Sequence, residues 1–187
     1  MTTALEAANF LLTLGPTDPE EQETSNLKLQ KLLYYGQGLH LARYAAPLFS
    51  DEIQAWDHGP VCPDVYRCFK RYQANPLPTP REFDPSILPV AAREILQDVF
   101  SRFGQYSAAR LRWMTHREPP WLNAYRPDVK GIVIPRRALA DFFSCSLPPG
   151  QQGDILVDRE SFEDIVERVR NPRPPTALLR ELLTRAE

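Results

Sequence analysis

Leu5, Ala8, Leu11 and Leu12 recur at helical spacing, and Gly15 followed by Pro16 predicts where that first helix stops. After the acidic loop TDPEEQE, Thr24 or Ser25 is placed to cap a second helix. Its apolar residues Leu27, Leu29, Leu32, Leu33, Tyr34, Leu39 and Leu41 surround most of the circumference, and such a helix belongs at the centre of a fold. Pro47 closes it. FSDEIQAW then alternates polar with apolar residues up to the turn Asp57-His58-Gly59-Pro60, which predicts a short strand or hairpin. Pro63 suits the first position of a third helix, with Cys62, Val65, Tyr66, Phe69 and Tyr72 as its apolar stripe and Arg67, Lys70 and Arg71 as its solvated face.

The prolines between Pro76 and Pro89 remove backbone donors and restrict the residues before them, so this stretch is a loop within one domain. Ala92, Leu96, Val99, Phe100 and Phe103 mark a fourth helix ending near Gly104. A Ser107-capped helix with Leu111 and Met114 follows, broken by Pro119 and Pro120. Trp121 to Tyr125 reads as a further short helix, 132–134 as a minor strand, and Pro135 to Phe143 as a terminal helix with Leu139, Phe142 and Phe143 inward. The expected fold is mainly α, a compact helical domain over 1–144 with a small β-hairpin.

A linker at 145–153, built on SLPPGQQG, changes the character of the chain. Residues 154–187 hold eight acids and six arginines but no lysine. Within them Phe162, Ile165, Val166 and Val169 fall at i, i+3, i+4 and i+7, and Leu178, Leu179, Leu182 and Leu183 follow an NPRPP break. Two such short helices are marginal alone and need a surface to cover, which predicts a partner-binding arm. Packing back onto the chain's own body is the alternative.

Charge narrows the functional classes. With 22 Lys and Arg against 24 Asp and Glu, the net charge of -2 offers no bulk field for a polyanion. No basic segment precedes the N-terminal apolar stretch, and the longest uncharged apolar run, between Lys31 and Arg43, falls short of the roughly 20 residues that span a bilayer. A cytoplasmic protein without a membrane span is expected. Cys62, Cys68 and Cys145 match neither a disulfide framework nor paired zinc knuckles and read as small buried thiols.

Candidate chemistry is sparse. Neither GxxxxGK[ST] nor GxGxxG occurs. His116-Arg117-Glu118 reproduces an HxE triplet without the PCxxC a zinc deaminase needs downstream, and His40, His58 and His116 are scattered, so no metal and no cofactor is expected. Asp57 and His58 with Glu118 have the chemistry of an acid and base pair. Asp-His-Gly-Pro is also good turn chemistry in which imidazole and carboxylate serve backbone groups, and that is the expected role. Trp56, Trp113 and Trp121 are expected as core anchors rather than the walls of a catalytic pocket. Lys28, Lys31, Arg67, Lys70 and Arg71 are read as a solvated surface rather than a DNA-binding face, since no helix-turn-helix pattern accompanies them. The chain is not expected to be an enzyme.

The run Lys28-Leu29-Gln30-Lys31-Leu32-Leu33-Tyr34-Tyr35, then Pro47-Leu48-Phe49, Ile53, Ala55-Trp56, His58-Gly59-Pro60-Val61, Pro63 and Val65-Tyr66 resembles the signature of the Panacea, or SocA-like, antitoxin domain. Leu111, Thr115-His116, Glu118 and Pro120-Trp121 resemble its second motif, so the likeness covers roughly residues 1–144. Two positions depart from it: His58 stands where many members carry an aromatic, and Gly36 where Ala is common. The resemblance implies a mainly helical domain with a small hairpin, and an antitoxin that silences a co-encoded toxin by direct contact. Among the motif residues it implies structural or interaction roles for Lys28, Gln30, Lys31, Tyr34, Tyr35, Trp56, His58, Gly59, Pro60, Tyr66, His116, Glu118 and Trp121.

Residues 154–187 are similar to the C-terminal arm of TacA-like antitoxins, which wraps acetyltransferase toxins of the GNAT class. That similarity implies Phe162, Ile165, Val166, Val169, Arg170, Pro172, Leu178, Leu179, Arg180, Leu182 and Leu183 as partner-binding residues and a GNAT toxin acting on aminoacyl-tRNA as the partner. Arg168, Arg170, Arg173 and Arg180 either pair with acidic groups near the acetyl-CoA site or form a solvated face. The alternative is a proteolytic adaptor or transcriptional regulator holding a toxin as cargo, which leaves contact with a protease or DNA, and a homodimer, open.

Overall fold

The computed structural model describes residues 2–15 and 24–145. By its contacts the chain divides into two units, Met1–Cys145 and Ser146–Glu187, and every described residue belongs to the first. The arm anchors Phe162 to Leu183 lie outside the described residues.

Helix α1 (Ala4–Thr13) starts at a capping box: Thr3 Oγ1 accepts from the Glu6 amide, and Glu6 Oε2 accepts from the Thr3 amide at 2.7 Å. Asp51 takes a further donor of the first turn, the Ala4 amide, at 3.0 Å. The buried face is Ala4, Ala7, Ala8, Phe10, Leu11 and Leu12. Leu5, expected inward, is instead 40% exposed. Small alanines let α1 approach its neighbours closely, and the buried stripe turns to centre on them.

Helix α2 (Asn26–Tyr44) is capped by Ser25, as one of the two expected caps, and ends at left-handed Ala45 two residues before Pro47. Its position is central, as its all-round apolar pattern predicts, because every residue from Lys28 to Leu39 is buried. At Gly38 an added Cβ would fall 2.1 Å from the Phe143 ring, so the glycine is what lets α2 and the last helix cross in contact. Lys28 and Lys31 are 2% and 0% exposed, which overturns their reading as solvated surface. They sit on a helix enclosed on all sides, where a charged side chain has only interior partners.

Strands β1 (Gln54–Trp56) and β2 (Gly59–Val61) form the expected hairpin, antiparallel with Trp56 opposite Gly59. Asp57 and His58 keep negative φ, and the left-handed step falls on Gly59 at φ 96°. The register runs unbroken from Gln54 and Val61 to Trp56 and Gly59, leaving Asp57 and His58 as the two-residue loop. Segment 132–134 adds to the free edge of β1, the Ala55 amide donating to Ile132 O and the Ile134 amide to Ile53 O, each at 2.8 Å.

The remaining elements surround α2: α3 (Pro63–Phe69) running into a 3-10 turn at Lys70–Tyr72, α4 (Val90–Phe103), α5 (Ala108–Thr115) capped by Ser107, α6 (Pro119–Ala124) and α7 (Arg136–Cys145). Of the expected α3 stripe only Cys62 and Val65 are fully buried, because the helix is short and lies at the rim. Arg67, Lys70 and Arg71 are exposed as expected. Cys68 and Cys145 are exposed, contrary to the buried-thiol reading, and only Cys62 fits it, its thiol pushed up to about 11 chiefly by burial. Trp121 is a core residue, whereas Trp56 and Trp113 are only half-buried. Phe142 is likewise half-buried beside a fully inward Phe143. Among the described residues no helix is long and apolar enough to cross a membrane.

Candidate functional site

The motif residues converge on a buried polar centre built on α2. One turn apart, Asn26 and Gln30 tie α2 to the start of α3. Gln30 Oε1 accepts from the Cys62 amide at 2.9 Å, Gln30 Nε2 donates to Asn26 Oδ1, and Asn26 Nδ2 donates to Tyr66 O. Lys31 Nζ donates to the Pro60 carbonyl at 2.8 Å. Burial, and then the nearby Arg112 charge, press its ammonium down to about 7. Gly59 completes this contact: a Cβ there would lie 3.0 Å from Lys31 Nζ and 2.9 Å from Thr115 Oγ1. The glycine therefore serves both the left-handed backbone and the space the lysine head fills.

The second motif closes over the other side. Tyr35 Oη donates to Glu118 Oε1 at 2.7 Å, and its ring stacks on Phe103 at 4.0 Å between centroids. Phe143 meets Tyr34 and Tyr35 edge-on. Burial pushes the Glu118 carboxyl up to about 7, although the two tyrosine hydroxyls pull it the other way. Burial first, and the Glu118 charge second, raise both tyrosines well above their ordinary range. Glu118 Oε2 and Tyr34 Oη are both buried without a hydrogen bond of ordinary geometry.

At the hairpin tip the Trp121 indole donates to Trp56 O at 3.0 Å, and the two His116 ring nitrogens face Arg112 O and Asp57 O at 2.6 and 3.0 Å. Trp121 stacks on Tyr125, whose hydroxyl donates to Asp57 Oδ1 at 3.1 Å. Trp56 meets Tyr66 edge-on. Asp57 thus serves a side chain rather than the backbone of its own turn, and His58 is exposed. Asp57, His58 and Glu118 do not assemble as an acid and base pair, since Glu118 is turned inward to Tyr35.

The sequence reading missed Gln37, whose Oε1 accepts from the Leu48 and Phe49 amides while Nε2 donates to Phe49 O. A lone amide in the longest apolar run was the available signal. A cleft of about 310 Å3 is lined by Gln37, Asp51, Glu52, Ile53, Arg136 and their neighbours. Neither Lys31 nor Glu118 reaches it. Among the described residues no cluster of His, Cys, Asp and Glu could hold a metal ion.

Fold and site together define a mainly helical scaffold whose buried polar side chains fasten a hairpin and two short helices to one central helix. Residues 29–122 match the family described as antitoxin SocA-like, Panacea domain, and the chain belongs to that family. It is 34% identical over 157 residues to Antitoxin SocA of Caulobacter vibrioides (strain NA1000 / CB15N), a match covering 71% of this chain and 80% of the relative. No solved structure matches the chain.

Proposed function

We propose that this protein is the antitoxin of a toxin-antitoxin pair, silencing a co-encoded toxin by direct binding and performing no catalysis of its own. The observation that carries this reading is family membership: 34% identity to Antitoxin SocA over a match spanning 80% of that relative. The neutralising element is residues 154–187, behind a linker at 145–153, and the toxin is a GNAT acetyltransferase acting on aminoacyl-tRNA. Supporting this assignment, the apolar stripe Phe162, Ile165, Val166 and Val169 and the leucines Leu178, Leu179, Leu182 and Leu183 fall outside the family match at 29–122. Each anchor fully buried on the toxin is worth roughly 1.5–3 kcal/mol before ordering costs.

The test is co-expression with the neighbouring reading frame, using the full chain, a form ending at Cys145 and the full-length double substitution Ile165→Glu/Val169→Glu. Rescue of growth by the full chain alone is the expected result. Rescue by all three makes the helical body the neutralising surface and overturns the role of the arm.

A further inference from the structure

Helix α5 and the turn that follows it carry a cationic ladder that the buried centre does not use. Trp113 is half-buried, and the guanidinium carbons of Arg110 and Arg117 lie over its ring at 4.5 and 3.9 Å from the centroid. Arg110 stands three residues before the tryptophan and Arg117 four after it, so both guanidinium groups reach the one ring. Arg117 is fixed further by donation to Trp113 O at 3.2 Å. Both arginines are exposed. Among the described residues no carboxylate forms an ion pair with Arg110 or Arg117, unlike Arg67 with Asp64, Arg102 with Asp98 and Arg137 with Asp141. No acid occurs between Ala108 and Arg117, and Glu118 is turned inward.

We propose that this Arg110-Trp113-Arg117 ladder is a docking surface for a carboxylate-bearing face of a protein partner, a second contact point on the toxin besides the arm. The inference rests on the toxin-binding reading above. Stacking holds the guanidinium planes before the partner arrives, so less side-chain entropy is lost on binding, and the donors of each fork suit paired carboxylate oxygens. Trp and Arg are also the residues that concentrate binding energy at protein interfaces. Nucleic acid fits less well. Single-stranded binding needs an open aromatic ring, and two guanidinium groups already lie against that of Trp113; the chain's net charge of -2 supplies no long-range attraction.

The test is titration of the purified full chain against the product of the adjacent reading frame, with growth rescue in parallel, for the unaltered protein, R110E/R117E and R110K/R117K. Expected is at least about a tenfold loss of affinity and loss of rescue for the glutamate pair at unchanged helical circular dichroism and Tm, with the lysine pair in between. Rescue and affinity equal to the unaltered chain overturn the surface and leave the toxin reading standing. Failure of the unaltered chain to bind overturns the toxin reading and this inference with it. Toxin binding retained by R110E/R117E, with loss of binding to the DNA upstream of the gene, assigns the ladder to nucleic acid instead and overturns the proposal.

Discussion

Replacing Glu118 by Gln removes one titration from the interior and little else. Gln keeps an oxygen for the Tyr35 hydroxyl and has nearly the shape of a protonated glutamate. In the folded protein the carboxyl is raised from 4.5 to about 7, so folding favours its neutral form. The stability it contributes is fully present below pH 4.5 and is lost as pH rises through about 7. At about 1.36 kcal/mol per pH unit, the part of that window between pH 5 and 8 amounts to about 2 to 3 kcal/mol. Urea unfolding of the wild type and E118Q at both pH values reads this directly, because every other titrating group cancels in the comparison. The expected outcome is that the wild type loses about 2 to 3 kcal/mol more than E118Q between pH 5 and 8, with E118Q the more stable at pH 8. Parallel profiles would show that the carboxyl is not held neutral by burial, and the account of this centre would fail.

Lys31 titrates in the opposite sense. Its folded value is depressed from 10.5 to about 7, so between those limits the unfolded chain holds the extra proton. Stability of the wild type relative to K31M should therefore rise with pH from 7 to 10; a flat difference contradicts the burial argument. Gly38→Ala drives a methyl into the Phe143 ring and should cost about 1–3 kcal/mol, read as a fall in Tm, with G38A/F143L recovering part of it; an unchanged Tm for G38A refutes the close crossing. Gln37→Leu strands two amides and a carbonyl at 48–49 and should cost about 3 kcal/mol or more in urea unfolding, whereas a surface glutamine would cost almost nothing.

What the sequence disclosed was the local part of the fold. The all-round apolar pattern of α2 placed it at the centre, Asp-His-Gly-Pro placed the hairpin, and Ser25 and Ser107 placed two helix starts. Each depends on residues within a few positions of one another. Lys28 and Lys31 were misread because the rule that charge faces water yields only when a distant partner exists, and the Pro60 carbonyl lies 29 residues beyond Lys31. The Tyr35 bond to Glu118 spans 83 positions, so both residues were visible as motif members while their contact was not. Gly38 carried no signal of its own, since only Phe143 on α7 shows why a side chain is excluded there. Leu5 failed for a subtler reason: Ala4, Ala7 and Ala8 offered an overlapping face at the same period, and close approach favours the smaller residues.

Whether this chain silences a toxin by binding it is read from growth with the neighbouring gene induced. Expected are arrest by the neighbour alone, recovery when the full chain is co-expressed, and elution of the two proteins together. Arrest that the chain leaves unrelieved, or recovery without a complex between the two, would contradict it.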